Sequence, residues 1–297
     1  MKRLLSCTAS DFQAMRGKDL AHAIKASEGR TILAETVVTS PPLLEGLTNA
    51  EVMAAFGADL ICLNEFDVFD KGINGLPAMD NPIAYLKELS GRPIGINLEP
   101  TEPNRANLET QINISAGRQA SPETFQAAQA LGVDFIMLTG NPATGVSNEA
   151  ILNVVADAAK YYDGPVFAGK MHGAGLDEAV VNIEQLVAYV EEGADGVIIP
   201  AVGTVPGITL ELAHEAAQRV KAAGGLVMFT IGTSQESADQ DTMRNIGLWN
   251  KQAGGDIHHI GDGGYGRMPI PENITALSLA VRGKRHTYTR MAQSIRR

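Results

Sequence analysis

Gly225-Leu226-Val227-Met228-Phe229-Thr230-Ile231-Gly232, running into Thr233 and Ser234, is a turn glycine, a short apolar run and a polar loop in succession. A helical pattern follows, and at Gly255-Asp256-Ile257-His258-His259-Ile260-Gly261-Asp262 the same phrase starts again. Reading back toward the N-terminus, it recurs as ADGVIIPAV (194–202), GPVFAGK (164–170), VDFIMLTG (133–140), RPIGINLE (92–99), ADLICLN (58–64) and TILAETVV (31–38), eight runs in all. The glycines ahead of the last seven, at 57, 91, 132, 164, 193, 225 and 255, are 34, 41, 32, 29, 32 and 30 residues apart. A strand plus its crossover helix needs about 30 residues, so the spacing predicts parallel strands alternating with helices.

The intervening helices are marked at their starts. Thr48-Asn49-Ala50-Glu51 is a capping box, in which hydroxyl and carboxylate each satisfy an orphan N–H. Ser121-Pro122 and Asp80-Asn81-Pro82 set a cap before an early proline, and Ser147 precedes Ile151, Val154, Val155 and Ala158 at helical period. Helices are also predicted over 176–192 and 209–223, and an extra one over 11–27 that closes the barrel floor.

Eight units without a G-x-G-x-x-G fingerprint after the first strand favour closure over an open doubly wound sheet. The fold class is therefore α/β, a (β/α)8 TIM barrel with an extra N-terminal helix. It forms a single domain, 1–297, with the helical segment at 1–28, the barrel at 29–281 and a basic C-terminal segment at 282–297. Aromatic residues are only 5% while glycines number 31, which suits aliphatic strands and tight turns.

The net charge of −10 sets most of the surface against a phosphate backbone, so no nucleic-acid partner is expected. RGKRHTYTRMAQSIRR (282–297) is read as a solvated segment that pairs with acidic helices or a neighbouring subunit, and a homo-oligomer is expected. The apolar start ends after Leu5 and no stretch approaches the roughly 18 apolar residues of a span, so no signal peptide or membrane partner is expected. Cys7 and Cys62 lack metal or redox spacing, which points to a reduced, cytoplasmic setting.

In a barrel of this kind, strand ends and the loops after them converge on one face. Gly232-Thr233-Ser234 and Gly261-Asp262-Gly263-Gly264 follow the last two strands. Glycines there let backbone N–H groups approach an anion, so Gly232, Thr233, Ser234, Gly263 and Gly264 are candidates for binding a phosphate or another anion; plain turn glycine is the alternative. Lys170 and His172 at the end of the fifth strand are candidates for carbonyl activation and proton transfer, against a structural ion pair. Glu35, Glu65 and Glu99 lie at three successive strands, with Asn64, Asn97 and Asn141 beside them. Such a ring can assist acid–base chemistry, hold Mg²⁺ through water, or pair with Lys170 and Arg105. The cofactor is left open, with Mg²⁺ as one use of the ring. His258 and His259 alternate on the eighth strand, so one faces the barrel interior, and a satisfied core histidine is the plainer reading of either.

Ala58-Asp59-Leu60-Ile61-Cys62-Leu63-Asn64-Glu65-Phe66, Pro93-Ile94-Gly95-Ile96-Asn97 and Val133-Asp134-Phe135-Ile136 with Thr139-Gly140 resemble the BtpA-like proteins, barrels of the phosphate-binding superfamily. That resemblance implies the fold and an anion site. Thr48-Asn49-Ala50-Glu51 leading into Ala58-Asp59-Leu60-Ile61 is similar to the phosphoenolpyruvate mutase and isocitrate lyase superfamily. That group uses a D-x-D metal strand and a Lys-Lys-Cys-Gly-His loop. Here Asn97 and Glu99 stand on the third strand, and Gly169-Lys170-Met171-His172 lacks the cysteine.

The expectation is an enzyme of lyase, aldolase or isomerase type acting on a small phosphorylated or carboxylated, and so anionic, metabolite. The alternatives are a Mg²⁺-dependent mutase or lyase that acts on C–C or C–P bonds, and a barrel that binds a metabolite without turnover.

Overall fold

The computed structural model describes residues 2–102 and 108–297; Arg105 lies outside them. Eight parallel strands close into a barrel in sequence order: β1 (Thr31–Val37), β2 (Leu60–Asn64), β3 (Ile94–Leu98), β4 (Phe135–Leu138), β5 (Val166–Gly169), β6 (Gly196–Pro200), β7 (Leu226–Ile231) and β8 (Ile257–Ile260). The seam is β1 on β8, with Thr31 opposite Ile257 and Ala34 opposite Ile260. The chain is thus a (β/α)8 barrel.

Strand alternation divides the apolar residues into two cores. Leu33, Leu60, Phe135, Phe167, Leu226 and Ile257 fill the barrel interior. Ile32, Ala34, Ile61, Ile136, Val166 and Val227 pack outward against the helices. Gly95 faces inward, where a Cβ would fall 2.2 Å from the ring of Phe135, so the missing side chain makes room for a large one.

Outside the barrel lie α1 (Ala9–Ala14), α2 (Asp19–Lys25), α3 (Asn49–Ala55), α4 (Pro82–Ser90), α5 (Pro122–Leu131), α6 (Asn148–Tyr161), α7 (Ile183–Glu191), α8 (Leu210–Ala222), α9 (Gln240–Ala253) and α10 (Pro271–Ala292). The caps at Thr48, Asn81, Ser121 and Ser147 each accept a backbone N–H in the first turn. Two helix expectations need correction. The helix expected over 11–27 is two, α1 and α2, because the chain turns between them at Gly17, φ +52°. Leu4, Phe12, Leu20 and Ile24 nevertheless join the interior core and close the floor. The helix expected from 176 starts at Ile183, since Asn182 is the residue that caps it, accepting from Gln185 N. Residues 170–182 therefore form a long loop at the mouth.

One device repeats around the floor. Asp59, Asp134, Asp195 and Asp256, each just ahead of an even-numbered strand, accept an N–H from the first or second residue of the preceding odd strand, from Ile32, Ile94, Val166 and Val227 at 2.9, 2.7, 2.8 and 2.9 Å. Each also meets a cation: Lys87 on Asp134, Lys18 on Asp195, Lys221 on Asp256, and both Arg282 and Arg290 on Asp59. This corrects the reading of 282–297 as solvated at Arg282 and Arg290, while Lys284, Arg285, Arg296 and Arg297 are exposed. Helix α10 crosses the boundary at 281/282, turning at Gly283 (φ +71°), and buries Arg282 and Arg290 against the single carboxylate of Asp59. Among the described residues, no helix is long and apolar enough to cross a membrane.

Candidate active site

The inward positions turn polar toward the C-terminal ends of the strands. Above Leu33 stands Glu35, above Cys62 stands Asn64, above Gly95 stands Asn97, and above Ile257 stands His259. His259 Nε2 lies 2.6 Å from Glu35 Oε2. The other Glu35 oxygen accepts from Asn97 Nδ2, which is also 3.2 Å from Asn64 Oδ1. Asn64 Nδ2 donates to Asp262 Oδ2 at 2.7 Å and to Asn141 Oδ1 at 2.8 Å. Asn141 donates through Nδ2 and backbone N to the two oxygens of Glu99, at 2.9 and 2.8 Å, and Arg118 meets Glu99 at 2.7 Å. The thiol of Cys62 closes the layer from below, 3.3 Å from Asn97 Oδ1. Burial and the nearby Glu35 push that thiol well above its ordinary pKa, so it is a donor.

A cavity of about 430 Å³ opens above this network, bordered by Glu35, Asn64, Asn97, Asn141, His172, Gly232, Thr233, Ser234, Glu236, Asp262 and Arg267. Two of its groups have shifted titrations. Burial, then the neighbouring charge of Glu35, raises Asp262 to about 7 against the pull of Asn64. Burial, then the ammonium of Lys170, lowers His172 to about 4. Neutral His172 accepts Ala174 N on Nδ1 at 3.0 Å, which leaves Nε2 as its N–H donor. The strained backbone of the β7 loop is also at this cavity: Thr233 and Ser234 have φ of +56° and +83°, and Thr233 Oγ1 is tied to Thr204 O at 2.5 Å.

The network gathers Glu35, Asn64, Asn97, Asn141 and, behind them, Glu99. Glu65 is not brought in: at φ +61° the chain turns and its carboxylate meets Thr39 Oγ1 at 2.5 Å, away from the cavity. Lys170 is not aimed into the mouth with His172 as expected. Phe167 points inward on β5 and Ala168 outward, and the parity carries Lys170 outward. Its ammonium meets Glu178 at 2.7 Å and Gly173 O at 3.1 Å, where Glu35, Glu65 or Glu99 was the expected partner. Glu178 lies in the loop that replaced the start of the expected helix. Of the β8-loop glycines, Gly263 backs onto Glu236 and Gly264 onto Met268 O, where Cβ atoms would fall 1.5 and 2.2 Å away. Two carboxylates, Glu236 and Asp262, thus stand in the loops expected to cradle an anion.

His259, Asp262, Glu236, Arg267 and Arg118 were not singled out as site residues. Inward parity on β8 could have found His259, and position one residue past a strand-end glycine could have found Asp262. Glu236 and Arg267 carry no comparable signal.

A Mg²⁺ held by this ring does not fit the donors. Both Glu35 oxygens already accept, from His259 and Asn97, and both Glu99 oxygens accept from Asn141, with Arg118 in addition. Among the described residues, no three acidic, histidine or cysteine side chains are set to hold a metal ion.

The chain is similar in fold to an archaeal fructose 1,6-bisphosphate aldolase, with TM-score 0.53, 17% identity, and 87% of this chain and 96% of that one covered. It is also similar to 2,3-dimethylmalate lyase, a member of the PEP mutase/isocitrate lyase superfamily, with TM-score 0.50, 13% identity, and 86% and 81% covered. Identities this low speak for the barrel alone. No curated protein matches the chain. The family model described as Domain of unknown function (DUF7916) matches residues 5–297, and the chain belongs to that family.

Proposed function

We propose that the protein is an enzyme of lyase or aldolase type that moves a proton on a small carboxylated metabolite in the barrel mouth. The observation that carries this reading is Asp262, a carboxyl raised to about 7 at the edge of the cavity and held in place by Asn64. A proton-transfer group works best with its pKa near the operating pH. As carboxylate, Asp262 takes a proton from a carbon beside a carbonyl or carboxylate, or from a hydroxyl whose collapse breaks the adjacent C–C bond. Negative charge then develops on the substrate oxygen, within the reach of donors that border the cavity, Arg267 and the His172 N–H. The Glu35–His259 pair and the Asn97–Asn64 relay keep Asp262 oriented and its environment negative.

A lyase and an aldolase stand among the proteins that share this barrel, which is compatible with the class, while the reading itself rests on the site. A Schiff base on Lys170 is less well supported, because its ammonium is held away from the cavity by Glu178. The BtpA-like resemblance adds little here, since Glu65 of its distinctive Asn64-Glu65-Phe66 turns away from the site.

Incubation with a panel of 2-oxo and 2-hydroxy acids in D₂O, followed by NMR, tests the reading. Carbon-bound hydrogen of at least one acid should exchange or its C–C bond should break, and Asp262→Asn should reduce the rate at least 100-fold. Activity that survives Asp262→Asn undiminished would remove the proposal.

A further inference from the structure

The β7 and β8 loops hold a carboxylate that proton transfer does not use. Glu236, in the short turn Gln235–Ser237, is 4% exposed, yet its Oε2 has no hydrogen-bond partner among the described residues. Its main chain is fixed, because Asn273 of α10 donates to the Glu236 carbonyl at 3.0 Å. On the β8 side Gly263 lies against Glu236 Oε1, so the carboxylate has no room to swing that way. It borders the mouth cavity. A buried carboxylate without a donor is costly to the folded chain, and a ligand that brings one relieves the cost.

The charges around the cavity point the same way. Among the described residues that border it, Glu35, Glu109, Glu236 and Asp262 are acids, against the cation Arg267, with His172 neutral. Glu35 already accepts from His259 and Asn97, and Asp262 from Asn64. Glu236 is the buried acid of this group whose charge is least answered. A low-dielectric cleft with this balance concentrates cations and repels a phosphate dianion.

We infer that the β7–β8 side of the mouth is a subsite for a cationic amino group, with Glu236 accepting its N–H donors. The inference rests on the reading that the cavity is a substrate site, and it narrows the substrate class to small zwitterions. The ammonium sits on Glu236 and the carboxylate faces Arg267.

Titration calorimetry with β-alanine and 3-hydroxypropanoate, which differ in the ammonium alone, tests this on the full chain. The wild type should bind β-alanine at least tenfold more tightly, and Glu236→Gln, similar in shape but uncharged, should erase the difference. Glu236→Ala serves if the glutamine variant fails to fold by circular dichroism. Equal affinity for the two probes, no binding of either, or a preference unchanged in both variants overturns the subsite. So does tight binding of inorganic phosphate, or of Mg²⁺ in place of β-alanine, when it depends on Glu236. The D₂O experiment fails separately. Exchange without discrimination keeps proton transfer and loses the subsite, and discrimination without exchange keeps the subsite and loses the reaction.

Discussion

His259 Nε2 and a carboxylate oxygen of Glu35 lie 2.6 Å apart on β8 and β1, the two strands whose pairing closes the barrel. Both side chains are buried, so the contact joins the seam of the sheet to the layer beneath the cavity. Glu35→Ala would leave His259 Nε2 without an acceptor in a dry interior, and Asn97 Nδ2 with only its longer contact to Asn64 Oδ1. We expect it to lower stability by about 3 kcal/mol in urea unfolding, the size for breaking one side of a buried pair. A loss below about 1 kcal/mol would mean that the contact is not formed.

Asp262 titrates in the opposite sense from most surface carboxyls. Its folded pKa is about 7 against an unfolded value of about 3.9. The protonated form is therefore favoured by folding, and the stability it contributes is complete below about pH 4 and lost as the pH rises through about 7. Asp262→Asn, which stays neutral, should gain on the wild type across that window, by about 3–6 °C in melting temperature at pH 8 relative to pH 4. Parallel melting curves over this range would show that the carboxyl is not perturbed.

Much of the architecture was legible because it follows from local rules. Eight apolar runs, seven of them led by a glycine and about 30 residues apart, leave few topologies, and caps such as Thr48 and Ser147 are short-range chemistry. The inward row of Glu35, Asn64 and Asn97 followed from strand ends alone. What sequence could not give was direction where a strand passes into a loop: Lys170 sits one residue past β5, on the outward parity. Nor could it give meetings between distant segments. Glu236 reaches Gly263 across two loops, and Arg290 reaches Asp59 across 231 residues.

Lys170 gives a prediction with two readouts. Its side chain is 1% exposed and its ammonium is held by Glu178, which also accepts the N–H of Asn148 at the start of α6. Lys170→Met should therefore lower stability by about 2–4 kcal/mol through the buried pair. Borohydride in the presence of pyruvate should leave no adduct on Lys170 in the wild type, as read by peptide mass mapping. An adduct there would restore the Schiff-base reading.

The floor of the barrel offers the strictest test of the C-terminal segment. Asp59 is wholly buried; burial alone would raise its pKa, but Arg282 and Arg290 hold it below the ordinary carboxylate range. Arg290 also donates to the carbonyls of Leu4 and Cys7, and Arg282 to that of Gly57, so one carboxylate ties both chain ends to β2. Because the folded pKa is depressed, the stability from Asp59 is present above about pH 4 and is lost as the pH falls through the folded value. Asp59→Asn should cost about 3–5 kcal/mol at pH 7, and that difference should shrink below pH 4. Arg290→Ala should cost a similar amount at pH 7, and the double variant should cost less than the sum of the two, as for residues in one network. Additive losses, or a cost for Asp59→Asn that does not change with pH, would mean that the terminal helix is held by its apolar face and not by this ion pair.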